Sequence, residues 1–386
     1  MPQNWKTYKL GEVATLQRGF DLPSRKRQHG SFKVIAASGF STWHNEFKVK
    51  GPGVTTGRSG TLGKVFYEAD NFWPLNTSLW VKNFHSNNPR YIYYFLQTLN
   101  LEAYNSGTSV PTLNRNDVHT IEVKIPELEE QTAIASILST IDAKIENNLA
   151  INKTLEEMAM ALYKEWFVDF GPFQDGKFVE SELGMIPEGW EVKRLDEVAY
   201  KNSKTFNFKN KEKVVFVNTG DVQFGSFLHN NYSDSESLPG QAKKVIEVND
   251  ILYSEIRPKN KRYAYVDFDS SDYVVSTKFM IIRNNELINN RLLYRILTRQ
   301  ETVDEFQMIA ESRSGTFPQI TFDAIGHFPI VLPSIELQDK FQSIVGNYEY
   351  QQKNNLTQNQ TLTTLRDTLL PKLISGEVRL TEFVNT

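Results

Sequence analysis

Trp5-Lys6-Thr7-Tyr8-Lys9-Leu10-Gly11-Glu12-Val13-Ala14 returns 185 residues later as Trp190-Glu191-Val192-Lys193-Arg194-Leu195-Asp196-Glu197-Val198-Ala199. After a divergent middle the two copies converge again. Val110-Pro111-Thr112-Leu113 stands against Phe317-Pro318-Gln319-Ile320, Ile125-Pro126 against Leu332-Pro333, and Gln131 against Gln338. The offset is now 207, so the second middle is 22 residues longer. A long-period repeat has to be read before any local motif, because it decides the fold. Two units with shared ends and unlike centres imply one scaffold that presents two different surfaces.

A chain of 386 residues has room for two or three domains, each with its own core. It holds 40% hydrophobic and 23% charged residues, an ordinary globular composition. No apolar run reaches the ~18 residues of a membrane span, and the N-terminus lacks the apolar region of a signal peptide. The absence of cysteine excludes disulfides and thiol chemistry and fits a cytoplasmic protein. Six scattered histidines without paired spacing predict no metal site. The net charge of −3 conceals a division, because residues 127–169 carry nine acids and three bases and the remainder is therefore +3. Basic residues gather in Arg25-Lys26-Arg27 and in Arg257, Lys259, Lys261 and Arg262. Nucleic-acid binding depends on such local patches, although a charge run is also what a solvated loop looks like.

Residues 127–167 contain no Gly or Pro and follow Pro126, which predicts a long helix. Its counterpart, 334–370, contains only Gly346 and is expected to stop at Pro371. Heptad core positions fall on Ile134, Ile137, Ile141, Lys144, Asn148, Ile151, Leu155, Met158 and Leu162. Adding 207 gives Phe341, Ile344, Tyr348, Gln351, Asn355, Gln358, Leu362, Leu365 and Leu369. Both stripes are apolar at the ends and polar in the middle, with Asn148 and Asn355 as register-setting polar residues. An antiparallel pair is expected, with the two asparagines meeting near its centre. A helix of ~40 residues is ~60 Å long at 1.5 Å per residue, long enough to act as a ruler along a duplex. The same pattern is open to a plainer reading, in which each helix packs on its own domain.

Short β-type runs such as 33–36, 65–67, 79–81, 214–217, 264–266 and 279–282 fill the two middles, followed by helical stretches near 89–101 and 289–308. Both middles read as α/β units of one fold. The expected organisation is a first recognition unit at 1–125, a helix at 126–170, a linker at 171–189, a second unit at 190–333, and a distal helix with its tail at 334–386. The aromatic run Trp166, Phe167, Phe170, Phe173 favours packing against the following domain over a docking patch.

These features resemble the specificity (S) subunit of Type I restriction-modification systems, over essentially the whole chain. The most specific segments are Pro126-Glu127-Leu128-Glu129-Glu130-Gln131, Lys164-Glu165-Trp166-Phe167-Val168-Asp169-Phe170, Leu183-Gly184-Met185-Ile186-Pro187-Glu188-Gly189-Trp190 and Leu369-Leu370-Pro371-Lys372-Leu373-Ile374-Ser375-Gly376-Glu377. The resemblance implies two α/β target-recognition domains joined by an antiparallel coiled coil of two long helices. Each domain would read one half of a bipartite site in double-stranded DNA, and the helices would set the spacer. Two methyltransferase (M) subunits would dock on the chain, and restriction (R) motor subunits would join for cleavage. The family's S subunit does no chemistry and needs no cofactor. In agreement, the chain has no Asn/Asp-Pro-Pro-Tyr/Phe motif, no glycine-rich nucleotide fingerprint and no GxxxxGK[ST] loop. A chain with its own methyltransferase or nuclease activity, and a free-standing DNA-bridging protein, are the competing readings.

The candidate reading residues follow from local chemistry. In 57–64, glycines allow close backbone approach while Arg58, Ser59, Thr61 and Lys64 offer charge and hydrogen bonds. A plain hairpin turn would look the same. The second copy keeps the basic character without the glycines, in Arg257, Lys259, Asn260, Lys261 and Arg262. Small polar clusters add Asn76 and Thr77, Thr108 and Ser109, Ser276, Thr277 and Lys278, and Arg313 and Ser314. Each could contact phosphates or base edges, or cap a turn. Arg25, Lys26 and Arg27 read as a phosphate-contacting loop.

Overall fold

The computed structural model describes residues 5–107 and 109–380. It divides into two compact units, Met1–Ile151 with Asn354–Thr386 and Asn152–Lys353, so the boundary cuts through both long helices. The first unit runs β1 (Lys6–Lys9), α1 (Leu10–Val13), β2 (Thr15–Arg18), β3 (Phe32–Ala36), β4 (Gly39–His44), β5 (Gly53–Gly57), β6 (Val65–Glu68), β7 (Phe72–Pro74), β8 (Ser78–Asn83), α2 (Pro89–Thr98), α3 (Arg115–His119), β9 (Glu122–Ile125) and the first part of α4 (Leu128–Phe167). Its antiparallel sheet has the order β2-β8-β5-β6, and a second sheet, β4-β3-β7, contains the parallel pair β3–β7.

The second unit continues with β10 (Phe178–Ser181), β11 (Gly184–Pro187), β12 (Glu191–Arg194), α5 (Leu195–Val198), β13 (Ala199–Asn202), β14 (Lys213–Val217), β15 (Val222–Gln223), β16 (Ser226–Phe227), β17 (Tyr232–Asp234), β18 (Ala242–Val245), β19 (Ile251–Ser254), β20 (Tyr263–Tyr265), β21 (Tyr273–Ser276), β22 (Phe279–Asn284), α6 (Asn290–Thr298), α7 (Gln300–Arg313), α8 (Phe322–Ile325), β23 (Pro329–Leu332) and the start of α9 (Ile335–Ser375). Its sheets, β13-β22-β19-β20 and β17-β14-β21-β18, repeat the first unit's plan. The parallel pair is now β14–β21. Both units are α/β, and the expected strand runs lie in strands except that 264–266 passes one residue beyond β20.

The repeated residues are the ones that tie helix to sheet. Leu10 and Leu195 are fully buried at equivalent turns, as are Val13 and Val198. Asn88 caps α2 by accepting the amides of Arg90 and Tyr91, and Asn289 caps α6 by accepting that of Arg291. Each cap is latched to a long helix. The Gln131 side chain accepts the Asn88 amide at 3.0 Å and donates to the Pro126 carbonyl at 2.9 Å. Gln338 accepts the Asn289 amide at 2.8 Å and donates to the Pro333 carbonyl at 3.0 Å. Both glutamines are buried, so every polar atom needs a partner, and the repeat preserves those partners.

Within each unit the two long helices run antiparallel. In the first, Asp142 pairs with Arg366 at 3.0 Å, Asn148 donates to Asn359 at 2.8 Å, and Ile134 and Leu138 share a core with Leu373. In the second, Asn152 and Gln352 exchange side chain-to-backbone bonds, Arg295 bridges Glu156 and Glu349, and Phe341 packs on Tyr163, Trp166 and Phe167.

The structure corrects the expected helical pair in its seam, in the partner of Asn148 and in its end. Ile134, Ile141 and Asn148 are buried as predicted, but Ile137, Lys144, Ile151 and Met158 on the first helix and Gln351, Gln358 and Leu365 on the second are exposed. The second column runs through Leu138, Ile145, Asn152 and Ala159, four residues after the first and not three; Leu138 and Ala159 are buried, and Ile145 and Asn152 half-buried. Asn148 therefore donates to Gln358 and Asn359, one helical turn beyond Asn355, although Asn355 is buried as well. The second helix does not end at Pro371. It continues to Ser375 and closes at Gly376 in the left-handed region, φ 73°. A proline inside a helix costs about 3 kcal/mol. Burying Leu373 and Ile374, each worth about 1.5–3 kcal/mol, offsets that cost.

The segment 171–189 holds a 3-10 turn and the β10–β11 hairpin. The aromatic run before it is packing, since Phe167, Phe170 and Phe173 all pack on Trp190. The helical stretch 289–308 is two helices, broken at the extended Arg299. No helix among the described residues is long and apolar enough to cross a membrane. No cluster of three or more metal-ligating side chains occurs among them.

Candidate nucleic-acid interface

The candidate loops are hairpin connections at one edge of the antiparallel sheet in each unit. Residues 58–64 join β5 to β6, and residues 255–262 join β19 to β20. Gly57 is required where it stands, because a Cβ there would lie 1.7 Å from the Thr61 carbonyl oxygen. The loop is then pinned on both sides. The amides of Arg58 and Ser59 donate to the Thr77 carbonyl at 2.8 and 3.1 Å, Gly60 donates to Pro111 at 2.9 Å, and Leu113 donates back to Arg58 at 2.8 Å.

The second loop has the same anchors. Glu255 donates to Lys278 at 2.9 Å, Arg257 to Pro318 at 3.1 Å, and Ile320 donates to Glu255 at 2.9 Å. The bridges Ser59–Thr112 and Ile256–Gln319 match as well. These bonds fix a residue-by-residue equivalence that the composition of the loops hides. Arg58 corresponds to Glu255, Gly60 to Arg257, and Thr77 to Lys278. Gly60 and Gly63 take left-handed φ of 91° and 77°, and in the second loop Arg257 and Lys261 do so, at 44° and 52°. The backbone route is shared, whereas the charges on it are redistributed.

The structure thus brings 58–64, Asn76–Thr77, Asn105 and 111–113 together in the first unit, and 255–262, Thr277–Lys278 and 313–319 in the second. The Arg58 guanidinium is held by the Asn76 carbonyl at 3.2 Å, and the Asn76 amide is held by Asp21. The Thr77 hydroxyl accepts the Ala37 amide at 3.3 Å. Thr61 is half-buried, while Lys64 and Ser109 are exposed; Thr108 lies outside the described residues. Arg25 and Lys26 are exposed on a 3-10 turn, and Arg27 donates to the Leu22 carbonyl and the Ser41 hydroxyl.

In the second unit Arg257 donates to the Thr316 carbonyl at 3.4 Å, and Asn260 closes the turn to Arg257. The Lys259 amide donates to Gln307 at 3.1 Å and its ammonium lies 3.5 Å from Glu311. The Gln307 amide and Lys259 together hold the Glu311 carboxyl below its usual range. Arg262, Thr277 and Lys278 are half-buried beside the loop, and Arg313 is exposed at the end of α7. Two candidates do turn work. Ser276 is fully buried and accepts the Lys278 amide, and the Ser314 hydroxyl accepts the Phe317 amide.

Sequence reasoning missed what the longer second middle adds. Where the first unit turns from β3 to β4 through Ala37 and Ser38, the second inserts 218–231, including the β15–β16 hairpin. Where the first has a 3-10 turn at Leu101–Tyr104, the second has α7, whose Gln307 and Glu311 hold the loop. Gly225, between the alternating stretches Val222-Gln223 and Ser226-Phe227, was the available signal for the hairpin tip.

Comparison with known proteins identifies the family and the fold. The family described as Type I restriction modification DNA specificity domain matches residues 2–157 and 187–364, one stretch per repeat. The HindI specificity subunit of Haemophilus influenzae is 45% identical over 181 residues, covering 47% of this chain and 39% of that protein. The MjaIX specificity subunit of Methanocaldococcus jannaschii is 28% identical over 76% of this chain and 69% of its own length. The EcoDI specificity subunit of Escherichia coli is 23% identical over 98% of this chain and 93% of its own. The fold is also that of the crystal structure of the Type-I restriction-modification system S subunit from M. genitalium, with a TM-score of 0.64, 18% identity and 96% coverage of both chains.

Proposed function

Because this chain belongs to the family of Type I restriction modification DNA specificity proteins, we propose that it is the subunit that reads DNA for a methyltransferase and restriction complex. Each unit reads one half of a bipartite site, through the loop between its two sheet strands and the segments pinned to it. The observation that carries this reading is the matched anchoring of 58–64 and 255–262, with unlike side chains on one backbone route. A scaffold kept constant while its presented chemistry changes is what two readers of different half-sites require.

The long helices set the unspecified spacer between the half-sites and carry the docking surface for two M subunits. Exposed Ile137, Leu149 and Ile151 on the first helix, and Leu356 and Leu365 on the second, support a partner there, since a lone coiled coil leaves few large apolar groups in water. The chain itself is non-catalytic and binds no cofactor, and R subunits join the assembly for cleavage. Co-expression with the cognate M subunit tests the reading. A stable complex that protects two separated half-sites is expected; failure to associate, or a single continuous footprint, would contradict it.

A further inference from the structure

We propose that Phe224 is a DNA wedge, an apolar side chain that enters a base step of the half-site read by the second unit. The inference rests on the reading of that unit as a DNA reader and adds the residue that deforms the duplex. Phe224 sits at the tip of the β15–β16 hairpin, which the first unit lacks, and 63% of its surface is exposed. The tip is fastened to the basic loop, because the Phe224 amide donates to the Lys261 carbonyl at 2.9 Å and the Gly225 amide to the Tyr263 carbonyl at 2.9 Å. The Lys261 ammonium lies 5.6 Å from the ring centroid.

The backbone singles out the same patch. Eight non-glycine residues take left-handed φ among the described residues, and three of them are Phe224 (48°), Arg257 (44°) and Lys261 (52°). For a bulky residue this conformation is strained and persists only where the surroundings enforce it, typically at functional sites. Here it projects a phenyl ring and two cations from one small area. Gln223 and Ser226, on either side of the tip, are exposed and polar, so the ring stands alone at the tip itself, and the next exposed apolar side chain of the insertion is Leu228. A single aromatic among cations is the arrangement by which proteins unstack and kink a duplex that the cations hold by its phosphates. The insertion also falls where the β3–β4 turn meets the reading loop in the first unit, where a Gly57 Cβ would lie 3.1 Å from the Ala37 carbonyl oxygen. The wedge is therefore added at the reading surface.

The test uses the chain assembled with its M subunits and duplexes containing the second half-site, with 2-aminopurine placed at successive positions. The wild-type complex should raise fluorescence at one step. Phe224→Ala should abolish that rise and weaken half-site binding by about tenfold or more, the usual size of a lost aromatic–base contact, while Phe224→Trp retains both. Equal fluorescence and affinity for wild type and Phe224→Ala, with Arg257→Ala still impaired, would overturn the wedge alone. A wild-type complex that shows no preference for the half-site would overturn the reading beneath it and the wedge together.

Discussion

The amide of Arg58 donates to the Thr77 carbonyl at 2.8 Å, and the amide of Glu255 donates to the Lys278 carbonyl at 2.9 Å, so one station on the shared backbone carries opposite charge in the two units. An arginine there offers a fork of donors suited to guanine, and a glutamate offers an acceptor suited to the cytosine amino group. The units are thus chemically unlike at the position where the backbone makes them most alike.

Arg58→Ala and Arg257→Ala should each weaken one half-site only. If each is a base contact, the loss is about 1–3 kcal/mol and vanishes when its own half-site is scrambled. Titration of both variants against duplexes with either half altered measures this. An equal loss on all sequences, with a shallower salt dependence, would mark phosphate contacts instead.

The buried bond between Asn148 and Asn359 should couple the two helices within the first unit. Removing one partner takes this bond from the other, which is buried and keeps only its second contact, Asn148 to Gln358 or Asn359 to the Ile145 carbonyl, at about 1–3 kcal/mol. Asn148→Ala and Asn359→Ala are therefore expected to be non-additive in urea unfolding, with the double variant losing less than the sum. Strict additivity would show that the pair is not a unit.

Gln131→Ala and Gln338→Ala should each cost about 1–3 kcal/mol and act independently, because they latch different units. Hydrogen exchange is the direct readout. The Asn88 amide should lose protection only in the first variant, and the Asn289 amide only in the second.

His119 should give the first unit an acid-sensitive joint. Its Nε2 accepts the Leu16 amide at 2.8 Å, which requires the neutral ring, and burial together with Arg115 holds its pKa below the usual 6.5. The unfolded chain then takes up the proton first, so stability is full above pH ~6.5 and falls as the pH drops toward the folded value. The repeat places Gly326 at this position in the second unit, where it faces Asp196. Thermal melts of wild type and His119→Gln between pH 5 and 8 should converge in their pH slope only if another group is responsible.

Much of this architecture was legible in the chain. The Trp5 and Trp190 repeats, the strand runs and the long helices declare themselves through periodicity and punctuation, which are local properties. The seam was misread at Ile137, Ile151 and Met158, because isoleucine at a three-residue step mimics a core column that the structure places one residue on. Pro371 misled for a related reason, since its breaking tendency is local and the burial of Leu373 that overrides it is not. In the candidate interface the basic loops were visible, but the match of Arg58 with Glu255 was not. It depends on strand pairing, and the second loop is one residue longer. Ser276 looked available and is buried, because polar composition does not reveal which face a turn presents.

The DNA site read by this chain is the most direct test of its function. Methylome sequencing of a host that expresses it with its M subunit measures that directly. One bipartite motif is expected, with two different half-sites separated by a fixed stretch of unspecified bases. A continuous motif, or two identical half-sites, would contradict it.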